Sequence, residues 1–145
     1  FVTPGGILAK IDAFADATGQ PCPATPGQYV RCCLESLALI YRITLDKLQA
    51  LLDQQVDVLH IVGGGGKNEL LNQMTADATG RQVVVGPYEA TAIGNALTQF
   101  MGRGRIHGLD QLRAVVRASF PLQTYTPRNT AAYEEQLPRF RALLG

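Results

Sequence analysis

Leu59-His60-Ile61-Val62-Gly63-Gly64-Gly65-Gly66-Lys67-Asn68-Glu69-Leu70-Leu71 joins two patterned segments through four consecutive glycines. Val58–Val62 is short, apolar and rich in β-branched residues, and it does not alternate in polarity. It therefore reads as a buried strand in a parallel setting rather than at a sheet edge. After the glycines, Leu70, Leu71, Met74 and Ala78 recur at helical spacing and Gly80 supplies a stop, which predicts a helix over 68–78. A run of four glycines carries a large conformational-entropy cost, and a plain strand–helix turn seldom needs more than one or two. The surplus has a purpose if the bare backbone must lie against a ligand. The N–H groups that open the following helix face the same space. A nucleotide suits such a place, at the carboxyl end of a parallel strand.

The loop is neither of the two commonest nucleotide motifs. A P-loop needs a glycine five residues before its Gly-Lys pair and a Ser or Thr after it; here those places hold Ile61 and Asn68. A dinucleotide fingerprint would use Gly63 and Gly65 but needs a third glycine where Asn68 stands. It also needs an acidic residue ending the next strand, where Val85-Gly86-Pro87 lies instead. A turn that binds nothing, in a helix-rich interaction module, remains the non-enzymatic alternative.

Working outward, Thr25-Pro26-Gly27-Gln28 has the form of a capping box with proline at the first helical position. Val30, Leu34, Leu37, Tyr41, Leu45, Leu48 and Leu52 then recur at steps of three or four, which predicts one long helix over 26–53 with that stripe inward. Arg31, Glu35, Arg42, Asp46 and Asp53 fall on the expected solvated face. A shorter helix is expected over 6–17, ahead of a proline segment. Gln82–Val85 reads as a second strand closed by Gly86-Pro87. A helix over 89–101 follows, with Ala92, Ile93, Ala96, Leu97 and Phe100 inward. Its internal Gly94, which costs about 1 kcal/mol relative to alanine, suggests close packing on another helix. A helix over 110–118, an extended segment over 122–127, and a last helix capped by Thr130 and bent or ended at Pro138 complete the chain. Tyr133, Leu137, Phe140 and Leu144 share one side of that last helix. The order is α/β: helix, strand, glycine loop, helix, strand, helix, with additional C-terminal helices.

Composition narrows the function classes. The chain has 145 residues, 46% hydrophobic and 17% charged, with a formal net charge of +1. That supplies a core for one domain and lacks the basic excess of a nucleic-acid binder. No apolar run approaches the roughly 18 residues of a membrane span, and no secretory leader is apparent. Cys22, Cys32 and Cys33 form neither a disulfide framework nor a zinc pattern with His60 and His107, so they are expected to be reduced, mostly buried thiols of a cytoplasmic protein. His60, in mid-strand, is expected in the core. A chain that opens Phe1-Val2-Thr3-Pro4 without Met is read as a piece of something longer. Strand edges left open in such a piece invite self-association.

The segment from Leu59 to Met74 resembles the adenosine motif of the FGGY carbohydrate kinases, members of the actin-like, ribonuclease-H-fold ATPases. Ala76-Asp77-Ala78-Thr79-Gly80 and Gly86-Pro87-Tyr88-Glu89-Ala90-Thr91-Ala92-Ile93-Gly94-Asn95-Ala96 match the next strand and helix of that family. Phe1–Pro4, Ser36–Tyr41 and Thr124–Pro127 point the same way. The resemblance covers most of the chain and is weakest over 102–123 and the last helix. It implies that residues 1–145 are the C-terminal portion of the second, nucleotide-binding domain of a sugar kinase. The implied reaction is phosphorylation of a ketose by MgATP, L-rhamnulose first, with fuculose, xylulose and gluconate as the alternatives. It further implies a cofactor site of Gly63, Gly64, Gly65, Gly66 and Asn68. Gly64 and Gly65 would lie along the adenosine and α-phosphate, Gly63 would shape the turn, and Asn68 would stand beside the adenine or ribose. Lys67 would reach a phosphate or simply be solvated, and Glu89 would complement its helix dipole. The catalytic aspartate, the sugar pocket and most of the Mg2+ site would lie outside this chain, so it carries no catalytic residue and no metal ligand of its own.

Overall fold

The computed structural model describes residues 5–144. Helix α1 spans Ile7–Ala17 and α2 spans Pro26–Leu52. The capping box forms as the sequence predicts: the Gln28 amide N–H donates to Thr25 Oγ1 at 3.3 Å, and Gln28 Oε1 accepts from the Thr25 N–H at 3.2 Å. Strand β1 (Val58–Ile61), a 3-10 turn (Gly64–Lys67), α3 (Glu69–Thr79) and β2 (Gln82–Val85) follow, then α4 (Ala90–Gly102), α5 (Leu109–Ser119), β3 (Gln123–Tyr125) and α6 (Thr130–Leu144). The helix-rich α/β order matches the prediction. The sheet is mixed. β1 pairs parallel with β2, Val58 opposite Gln82 and Ile61 opposite Val85, and β3 pairs antiparallel on the far side of β2.

Several expectations need correction. In the described sheet β1 lies at an edge and is half-buried, not enclosed, and His60 is exposed rather than a core residue. The enclosed strand is β2, whose Val83 and Val85 pack with Ala76 against Leu59, Ile61 and Tyr125. On α2, Leu45 alone of the predicted stripe is buried and Leu34 is half-buried; Val30, Leu37, Tyr41, Leu48 and Leu52 are exposed. The face that α3 and α6 cover carries Ala38, Leu39 and Ile43. Ala38 leaves room for Met74 and Ala78 of α3 to approach, so the small side chain sets the helix–helix contact.

Arg42 and Asp46 are not simply solvated. Arg42 Nε lies 3.0 Å from Asp46 Oδ1, and its Nη1 donates to the Ala78 carbonyl at 3.0 Å and pairs with Glu134. Arg141 closes the network on Asp46 at 2.7 Å. The guanidinium thereby caps the C-terminal end of α3 and joins it to α2 and α6.

On α3, Leu70 is exposed, whereas Asn72 and the whole run Met74–Thr79 are buried. The buried polar side chains are bonded into the fold. Thr75 and Thr79 hydroxyls donate to the carbonyls one turn back, at 2.7 and 2.6 Å. Asp77 Oδ1 accepts from the amides of Arg128 (2.6 Å) and Asn129 (3.2 Å) and from Gln73 Nε2 (3.0 Å). Helix α6 begins at Thr130 itself, and the acceptor for the amides just ahead of it is the α3 carboxylate. Pro138 neither ends α6 nor shortens it: the helix continues to Leu144, with Leu137 buried and Leu144 exposed. Helix α4 has no buried residue, and a Cβ built on Gly94 would meet nothing within 4 Å, so no tight packing partner explains that glycine here. The three cysteines are exposed, contrary to expectation. Cys22 lies in the proline segment against Asp16, 3.2 Å from its Oδ1, which raises the thiol pKa. Phe1–Pro4, quoted above, lie outside the described residues. Among the described residues, no helix is long and apolar enough to cross a membrane.

Candidate functional site: the glycine loop

The loops that follow β1 and β2 meet at the carboxyl end of the parallel pair. The Gly86 N–H donates to the Ile61 carbonyl at 2.9 Å, and the Gly63 N–H approaches the Pro87 carbonyl at 3.5 Å. Gly63 and Gly86 both have positive φ, 80° and 108°, which a side chain would strain. Beyond Gly63 the chain makes one 3-10 turn, with the Gly66 N–H on the Gly63 carbonyl and the Asn68 N–H on the Gly65 carbonyl. Asn68 then caps α3, its Oδ1 accepting from the Leu71 N–H at 3.0 Å.

The four glycines divide into two kinds. Gly64 and Gly65 are exposed, and a Cβ on either would meet nothing within 4 Å. Neither needs to be glycine for packing. Gly66 is buried, and its Cβ would fall 2.6 Å from Val85 Cγ1 and 3.3 Å from the Tyr88 ring. Its small size is a packing requirement. The open backbone is thus a two-residue window, Gly64–Gly65, held between a positive-φ turn at Gly63 and a packed anchor at Gly66, ahead of the α3 N-terminus. Bare main chain and helix-opening N–H groups suit the edge of a nucleoside and an anionic group.

The other candidates fall as follows. The Lys67 ammonium sits 5.9 Å above the Tyr88 ring, a cation–π arrangement at the rim of the window. Glu89 is exposed and stands at the N-cap of α4 without a side-chain capping bond. His60, on β1 four residues before Gly64, and His107, in the loop ahead of α5, are both exposed. Among the described residues, no group of three or more His, Cys, Asp and Glu could hold a metal ion. No metal step is assigned to this chain.

Sequence reasoning missed two participants. Asn72 is fully buried, and its Nδ2 donates to the Gly66 carbonyl at 2.8 Å. Its signal was a polar residue four after the helix cap, on the face that looks back to the loop. Tyr88 follows β2 and backs Gly66; its proximity depends on the pairing of the two strands, which no local pattern encodes.

Residues 6–103 match the C-terminal domain of the FGGY family of carbohydrate kinases. The chain is 44% identical over 141 residues to a rhamnulokinase of Bacteroides thetaiotaomicron, covering 97% of this chain and 29% of the relative. It is 37% identical over 129 residues to a rhamnulokinase of Bacillus subtilis, covering 89% and 27% respectively. The xylulose kinase structure from Rhodospirillum rubrum superposes with a TM-score of 0.64 at 23% identity, over 86% of this chain and 25% of that one, a likeness of fold. The chain therefore spans less than a third of the length of these relatives. A family match over most of the sequence, with the glycine loop and both parallel strands inside it, establishes that this chain belongs to the FGGY carbohydrate kinases.

Proposed function

We propose that the chain is the C-terminal portion of the second domain of a longer sugar kinase, of the ribonuclease-H-like, actin-like ATPase type, and that it forms one wall of the nucleotide cleft. ATP supplies the phosphoryl group, and the acceptor is a ketose hydroxyl, L-rhamnulose in this reading. The rhamnulokinase relatives support that sugar; the sugar-facing residues that would separate it from fuculose, xylulose or gluconate belong to the rest of the kinase. The observation that carries the proposal is the two-residue window of unobstructed main chain at Gly64–Gly65.

The roles of the chain's own residues follow from their places. Gly64 and Gly65 admit the adenosine and α-phosphate side of ATP to van der Waals distance. Gly63 turns the chain out of β1, Gly66 fixes the loop to the sheet, and Asn68 opens α3 beside the base or ribose. Phosphoryl transfer depends on holding nucleotide, metal and acceptor together. This wall contributes orientation of the nucleotide; proton removal from the sugar and metal binding belong to the rest of the kinase. The chain alone should therefore bind ADP weakly, with Kd of millimolar order, about −4 kcal/mol, and should phosphorylate no sugar. Calorimetric titration of the chain with ADP, beside an assay for ATP-dependent phosphorylation of L-rhamnulose, tests both statements. Micromolar affinity or turnover by the chain alone would overturn this division of labour.

A further inference from the structure

Asn72 has an unusual arrangement for a buried amide. It is fully buried, its Nδ2 donates to the Gly66 carbonyl at 2.8 Å, and its Oδ1 has no partner among the described residues. The orientation is dictated by its partner, because a flipped amide would set oxygen against the Gly66 oxygen. Leaving one end of a buried amide unpaired costs about 1–3 kcal/mol, and an apolar side chain of similar size would avoid that cost. What such a side chain could not do is hold the Gly66 carbonyl.

Gly66 is therefore fixed from two directions. Val85, Tyr88 and Ile61 enclose the space where its Cβ would be, and Asn72 holds its carbonyl. The next residues upstream are Gly65 and Gly64, which have open space around them. Two adjacent glycines carry little conformational preference of their own, so their orientation is inherited from the anchors on either side. The Gly63 anchor is long, at 3.5 Å to Pro87, and Gly66 is the firm one.

We propose that Asn72 is the positioning residue of the nucleotide window: through the Gly66 carbonyl it presets the Gly64–Gly65 main chain for the nucleotide without touching the nucleotide itself. This deepens the nucleotide-binding reading and rests on it. A preorganised loop loses less freedom on binding, so loss of the anchor weakens nucleotide affinity and spares the sugar, whose pocket this chain does not form in the proposed reading.

The test uses the whole kinase that carries this chain, comparing Asn72→Leu and Asn72→Asp with Gly64→Val as the reference for the window. Asn72→Leu removes the donor at similar volume. Asn72→Asp keeps the shape but replaces the donor, and it supplies the reading if Asn72→Leu does not fold. The expected result is a KM for ATP raised about tenfold in both Asn72 variants, with the KM for the sugar changed less than about twofold. A purely structural role would instead lower the melting temperature while leaving both KM values unchanged, or would move them together; either result overturns the proposal. If Gly64→Val raises the KM for ATP and the Asn72 variants do not, the positioning role alone fails. If none of the three raises it, the nucleotide reading fails and takes this inference with it.

Discussion

The two helices that follow the parallel strands, α3 after β1 and α4 after β2, meet opposite fates. Helix α3 is buried from Met74 through Thr79; its Ala78 carbonyl accepts from Arg42 of α2, and its Asp77 carboxylate holds the segment before α6. Helix α4 is apolar on one face, yet it buries no residue, and Phe100 is half exposed. Ala92, Asn95, Ala96, Gln99, Phe100 and Arg103 line an open groove along it. Val30, Leu37, Tyr41, Leu48 and Leu52 of α2 are exposed as well. Amphipathic spacing marks a helix that can be covered; it does not identify what covers it. The more deeply buried of the two helices is the one that carries the glycine loop at its N-terminus, so the wall of the proposed cleft rests on the packing of α3.

The sharpest way to break this contrast is to unfasten α3. Asp77→Ala leaves the amides of Arg128 and Asn129 without their acceptor, and hydrogen bonds to a charged group contribute about 1.5–3 kcal/mol each. A loss near 3 kcal/mol in denaturant unfolding is expected; a change below about 0.5 kcal/mol, the level of an ordinary surface substitution, would show that the buried carboxylate does not fasten α6. The next test separates the glycines. Gly66→Ala drives a methyl toward Val85 Cγ1 and should cost about 1–3 kcal/mol, as overpacked core sites do. Gly64→Ala meets open space and should leave the unfolding midpoint nearly unchanged. Equal costs at the two positions would abolish the distinction between anchor and window. The smallest effect is expected on α4. Phe100→Ser should change stability by less than about 0.5 kcal/mol and should lower any self-association seen by sedimentation at high concentration. A large destabilisation would mean that α4 is packed in solution.

Much of the architecture was legible because its determinants are local. The Thr25–Gln28 capping box, the strand at 58–61 and the glycine stop after α3 each follow from residues adjacent in sequence. Burial was less legible. The apolar stripe chosen on α2 was the regular one, but the covered face was decided by Ala38, whose small side chain admits α3. Arg42 read as an ordinary surface charge and nothing local marked Asp77 as a buried acceptor, since their partners Glu134 and Arg128 lie 92 and 51 positions away. In the loop, four identical glycines gave no hint of their division. That division depends on Val85 and Tyr88 arriving from β2 and on Asn72 reaching back from α3.

In the proposed function, nucleotide lies on the main chain of Gly64 and Gly65. Amide chemical shifts of the isotopically labelled chain, followed while ADP is added, test it residue by residue. The largest shifts should fall on Gly64, Gly65, Lys67 and Asn68, with α5 and α6 unmoved. Saturating shifts confined to another surface, with the Gly64 and Gly65 amides unchanged, would contradict it.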